Sequence, residues 1–127
     1  MEVDVFIRVH QTVNKGQDIV LYRYKGKVKE LYFSTLETTH NRSIILASKI
    51  GIEGLNSSCI VNLHTQCNFG FKFMENSKKW VNRDVGDLLA VAIAEGGHKV
   101  NFIDCSATEE GKDYQQALEV KLRGFRA

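Results

Sequence analysis

The chain has 127 residues, 43% of them apolar and 25% charged, which suits one globular domain over 1–127 with enough length to bury a core and no room for a second. A formal net charge of +2 does not by itself require a nucleic-acid partner. The longest apolar run, "LLAVAIA" at 88–94, falls well short of the roughly 20 residues that cross a membrane, no signal-peptide pattern opens the sequence, and Cys59, Cys67 and Cys105 lack zinc-knuckle spacing, so a cytoplasmic protein with reduced thiols and no membrane partner is expected.

The elements follow in chain order. "VDVFIRVH" is rich in strongly β-forming residues and predicts a central strand. "DIVLYRYKGKVKELYFS" predicts two more, joined at a Lys25-Gly26 turn. Next, "TTHN" supplies capping side chains for a helix over Arg42 to Leu55, whose apolar and small residues surround much of its circumference. Gly51 and Gly54 within it imply a close approach to the sheet. A strand at Ile60 to Thr65 and a brief helix near "NFGFKFM" come next. Val85, Leu88, Leu89, Ala92 and Ile93 then share one stripe of a helix that ends at Gly96-Gly97. "HKVNFIDC" predicts the last strand, and from Glu109 onward Tyr114, Ala117, Leu118, Leu122 and Phe125 recur at helical spacing. Three antiparallel strands followed by alternating strands and helices predict an α/β fold: a five-stranded mixed sheet, its later strands parallel to the first, with helices on both faces.

That order, with its local motifs, resembles the type 1 ribonuclease H family over nearly the whole chain. "TTHNR" is close to the family's TTNNR at the start of the central helix, and "CIVNLHTQCN" is similar to its fourth strand ending in TDSQ. "LYRYKGK", "AEGGHKVNF" and "KDYQQALEVKL" resemble its second strand, last strand and final helix. The resemblance implies a ribonuclease H-like fold and, in relatives, cleavage of the RNA strand of an RNA–DNA hybrid by two magnesium ions held on four carboxylates. At the matching positions this chain carries Arg8, Ile44, Gln66 and Asp113. Only the last is a carboxylate. Two divalent ions about 4 Å apart repel by roughly 16 kcal/mol at an effective dielectric of about 20, and a guanidinium, a hydrocarbon and an amide cannot offset that. His10, His64, Cys67 and Asp113 near the same sheet end are weighed as a substitute site, whose imidazoles and thiolate suit zinc more than magnesium, and packing roles are preferred for His64 and Cys67.

The sequence therefore leads us to expect a chain that is not an enzyme: an inactive ribonuclease H-like domain, with no metal or other cofactor, that binds nucleic acid or a protein. The alternative is a ribonuclease H-type nuclease with a substitute or relocated site, dependent on magnesium or manganese. Candidates for contact with an RNA–DNA hybrid or duplex are Asn41 and Asn68, at positions where relatives touch substrate, and Lys25, Lys27 and Lys29 beside Tyr22 and Tyr24. Capping accounts equally for Thr38, Thr39 and Asn41, and an exposed hairpin commonly carries lysines to deter edge pairing. The basic insertion of many bacterial relatives is absent from "MENSKKWVNRD", so weak binding is expected. Arg8 is expected to pair with Asp113 and to reach the Gln66 amide oxygen.

Overall fold

The computed structural model describes residues 1–75 and 79–126. Strands β1 (Glu2–Thr12), β2 (Lys15–Tyr24) and β3 (Lys27–Thr35) precede helix α1 (His40–Glu53). Strand β4 (Ile60–Thr65), helices α2 (Gly70–Glu75) and α3 (Arg83–Gly96), strand β5 (Lys99–Asp104) and helix α4 (Glu109–Arg126) follow. The five strands form one sheet in the order β3-β2-β1-β4-β5. β1 is central, antiparallel to β2 and parallel to β4, and β5 extends the parallel side. The expected ribonuclease H-like sheet order is the one observed.

Local chemistry explains the joints. Lys25 and Gly26 both have positive φ, 50° and 77°, the geometry that matches a two-residue turn to the twist of its flanking strands. Helix α1 begins at His40, two residues before the expected Arg42, because Thr39 in extended conformation caps it and its side chain accepts from the Arg42 amide at 3.4 Å. Gly54 caps its C-terminus instead of lying within it. Gly97 ends α3 in the left-handed region at φ 65°.

Period-two alternation divides β1 between two cores. Val3, Val5, Ile7 and Val9 point toward α1 and pack with Val20, Ile44, Ile45, Ile52, Val61, Leu63 and Leu89. Phe6 points the other way and packs with Ile19, Leu118 and Leu122 under α4. A Cβ on Gly51 would meet Val20 at 3.2 Å and Val5 and Ile7 at 3.4 Å, so the glycine lets α1 lie close on the sheet. The Tyr22 hydroxyl donates to the Gly51 carbonyl at 2.7 Å across that contact. Leu88 departs from the expected stripe: it is 47% exposed, and Val85, Gly86, Leu89 and Ala92 form the buried face of α3. Cys59, Cys67 and Cys105 are free thiols.

Candidate functional site

The ends of β1 and β4 and the start of α1 meet at one edge of the molecule. Pairing between β1 and β4 stops at Phe6 and His64, which leaves the backbone of Val9 without a neighbouring strand on that side. Gln66, just beyond β4, takes over the ladder. Its Oε1 accepts from the Val9 amide at 2.6 Å and its Nε2 donates to the Val9 carbonyl at 3.3 Å. His40 Nε2 lies 3.1 Å from the same carbonyl.

Arg8 points to the opposite face, under α4. Its Nε donates to Glu119 at 2.8 Å and its Nη1 to the Gln115 amide oxygen at 3.4 Å. Gln115 is fixed in turn by donating to the Ile7 carbonyl at 3.0 Å and to the Cys105 sulfur at 3.4 Å. The expected pairing of Arg8 with Asp113 and Gln66 is therefore corrected. Asp113 stands two residues before the sheet-facing Gln115, about 200° around the helix, and is exposed. The Gln66 amide oxygen is taken by the Val9 backbone.

These positions do not fit the paired magnesium ions that the resemblance implies. Ile44 is fully buried within the core, so it faces packed hydrocarbon instead of an open site. Arg8 brings positive charge, and the Gln66 amide is already bonded. Among the described residues no group of three or more His, Cys, Asp or Glu side chains can hold a metal ion. His64 bonds Asp4 at 3.0 Å and stacks on Phe6 with ring centroids 4.2 Å apart. Burial opposes ionisation of Asp4, but hydrogen bonds from His64 and Arg23 outweigh it and hold the carboxyl below its usual range. Burial pushes the Cys67 thiol up, away from the thiolate a soft metal needs.

The start of α1 forms a second, open surface. Arg42 donates through Nη1 and Nη2 to both Asp84 oxygens at 2.9 and 2.7 Å, and through Nε to Glu37 at 2.8 Å. Hydrogen bonding to Asp84 first, and then to Glu37, raises the guanidinium pKa, and Arg42 pulls Asp84 down to about 2. This planar fork ties the first turn of α1 to that of α3. Beside it, Thr38, Thr39, His40, Asn41, Arg42, Val81 and Asn82 line a concavity of about 720 Å³. Asn41 is exposed there.

The other candidates are dispersed. Asn68 is exposed in a separate hollow of about 420 Å³ beside Met74 and Phe102. The turn at Lys25 stands at the far end of the sheet, where β2 pairs with the beginning of β1. Lys25, Lys27 and Lys29 are exposed, and Lys25 lies over the Tyr24 ring at 5.3 Å. Tyr22 is turned inward against Gly51, so no strip of lysines alternating with two exposed tyrosines forms. Lys78, which with Lys79 adjoins Arg83 in a second basic cluster of the sequence, lies outside the described residues. Sequence reasoning missed the Arg42–Asp84 fork and the Arg8–Glu119 pair, which join residues 42 and 111 positions apart. It also missed Asp18, fully buried beneath the hairpin. A signal for Asp18 existed, since it shares strand parity with Val20 and Tyr22.

No family model matches the chain. It is 40% identical over 63 residues to the ribonuclease H of Desulforamulus reducens, covering 48% of this chain and 40% of the relative. It is 34% identical over 62 residues to that of Legionella pneumophila, covering 49% and 41%. The matches thus span about two fifths of these relatives' own length. Among solved structures it resembles RNase H1 of the archaeon Halobacterium salinarum, with a TM-score of 0.62 and 11% identity over 84% of this chain and 89% of that one. It also resembles an N-terminal RNase H domain from Mycobacterium tuberculosis, with a TM-score of 0.66 and 10% identity over 82% and 86%. One expectation is overturned here. The sequence led us to expect a chain that is not an enzyme, but its curated relatives carry the name of one, and absent matched carboxylates do not outweigh that. The chain thus has a ribonuclease H-like fold over most of its length and is similar in sequence to proteins named ribonuclease H over about half of it.

Proposed function

We propose that the chain is a ribonuclease H-type nuclease domain that grips an RNA–DNA hybrid at the start of α1 and cleaves its RNA strand from a substitute or relocated site. The observation that carries this reading is the exposed Asn41 in the concavity beside the Arg42–Asp84 fork, in a chain similar to proteins named ribonuclease H. The Asn41 amide offers both a donor and an acceptor, and the fork fixes the helix end that presents it. Hybrid duplexes with A-like geometry expose 2′-hydroxyls and base edges in a wide, shallow minor groove, which such amides can read. Arg8, Ile44 and Gln66 do not form the reaction centre in this reading, and no step is assigned to metal ions at those positions.

The test is cleavage of a hybrid labelled on its RNA strand, with magnesium, manganese, zinc or a chelator, beside a binding titration at two salt concentrations. Cleavage of RNA in the hybrid but not in duplex DNA supports the reading, as does hybrid affinity that falls with salt and weakens in Asn41→Ala. A hybrid left intact in every metal rejects the nuclease reading. Affinity untouched by Asn41→Ala rejects the assigned surface.

A further inference from the structure

We propose that the pocket where the end of β1, the segment after β4 and the beginning of α4 meet binds a phosphate group. For the nucleic-acid form of that ligand, a backbone phosphodiester, the proposal rests on the hybrid-binding reading. The pocket holds about 240 Å³, and its lining includes Arg8, Gln66, Ser106, Lys112, Gln115 and Gln116. Among the described residues no carboxylate lines it. The Gln66 and Gln115 amide groups and the Ser106 hydroxyl already donate within the protein, so the Arg8 guanidinium, the Lys112 ammonium and the Gln116 amide are the donors it offers to an anion with several acceptor oxygens.

The guanidinium is fixed before any ligand arrives. Glu119 holds Nε and Gln115 holds Nη1, while Nη2 has no hydrogen-bond partner among the described residues and remains available. Glu119 also faces Arg123 at 3.7 Å, so the two guanidiniums share that carboxylate. Lys112 pairs with Glu109 at 3.2 Å, but the two side chains are 57% and 88% exposed, and such a surface pair yields its lysine at little cost. Asp104 is a further opposing charge nearby, and its Oδ1 accepts from the Ser106 amide at 2.9 Å and hydroxyl at 2.7 Å.

The pocket also adjoins the α1 surface. Gln66 lines the pocket, His40 lines the concavity at the start of α1, and both bond the Val9 carbonyl. A nucleic-acid strand seated on Asn41 has a phosphate-sized recess one side chain away.

Amide-resolved NMR titrations with inorganic phosphate, a dinucleoside monophosphate and a short hybrid test the proposal on wild type, Arg8→Gln and Lys112→Gln. Lys112→Gln alters an exposed side chain and keeps the test valid if Arg8→Gln fails to fold. Phosphate should shift the Gln66, Ser106 and Lys112 amides, and either variant should bind it at least about tenfold more weakly, as expected for the loss of a charge-assisted hydrogen bond. Absence of shifts at these amides, or equal phosphate affinity in wild type and Lys112→Gln, overturns the pocket. Phosphate binding without hybrid binding leaves the pocket standing as a site for free phosphate and removes the hybrid reading. Hybrid binding that survives both substitutions, with no phosphate response, removes the pocket and leaves that reading intact.

Discussion

Replacing Asp18 with asparagine should flatten the dependence of stability on pH. Asp18 sits on β2 between Val9 of β1 and Phe33 of β3. It is fully buried, and neither carboxyl oxygen has a hydrogen-bond partner among the described residues; the Thr35 hydroxyl is likewise without one. Gly16 makes the space. A Cβ there would stand 2.5 Å from the Thr35 Oγ1, 2.9 Å from the Ser43 Oγ and 3.0 Å from Asp18 Oδ1. Burial raises the Asp18 pKa from 3.8 to about 7. Among the described residues no charged neighbour acts on it, so the proton is what makes this burial tolerable.

The direction follows from linkage. The folded state binds the Asp18 proton more tightly than the unfolded chain, so its stabilising contribution is complete below about pH 4. It is lost as pH rises toward about 7 and is constant above that. At 1.36 kcal/mol per tenfold change in proton affinity, the difference between 3.8 and about 7 sets a ceiling of about 4 kcal/mol. Urea unfolding of wild type and Asp18→Asn at intervals from about pH 4 to about pH 8 measures it. Other groups contribute slopes of their own, Asp4 and Asp84 with the opposite sign because their folded values are depressed, but these cancel between the two proteins. The stability of wild type relative to the variant should fall as pH rises through that window. Parallel curves would refute a buried, proton-binding Asp18.

Restoring a carboxylate by Ile44→Glu should destabilise the fold by on the order of 3 kcal/mol or more, because position 44 is fully buried in the core and an unpaired charge there has no partner; thermal unfolding measures it, and an unchanged midpoint contradicts the placement. Tyr22→Phe removes the hydroxyl that satisfies the Gly51 carbonyl and should cost about 1 kcal/mol in urea unfolding; a neutral result means that water replaces it. Arg42→Ala breaks the fork to Asp84 and should speed amide exchange in the first turns of both α1 and α3 while leaving β1 protected; uniform exchange across the molecule would show a global effect instead.

The sheet was legible because its signals are local. The β-rich runs marked β1 to β3, the Lys25-Gly26 pair marked the hairpin turn, and Gly97 marked the end of α3. Asp18 was concealed by the usual preference of carboxylates for solvent, although its parity with Val20 and Tyr22 points inward. The partners of Arg8 were not legible, since Glu119 lies 111 positions away and a helix presents Gln115 and Glu119, not Asp113, to the sheet. Leu88 matched the helical stripe but sits at its margin, and periodicity alone does not locate the edge of a buried face. The expectation that the chain is not an enzyme failed at a different link. Counting matched carboxylates led to the expectation of a chain that is not an enzyme, whereas the curated relatives carry the name of one.

The measurement that bears most directly on the ribonuclease H-type reading is the fate of the RNA strand in a hybrid incubated with wild type and with Asn41→Ala across magnesium, manganese and zinc. RNA-strand products that diminish in the variant are the expected result, and an intact RNA strand under all of these conditions would contradict the proposed nuclease.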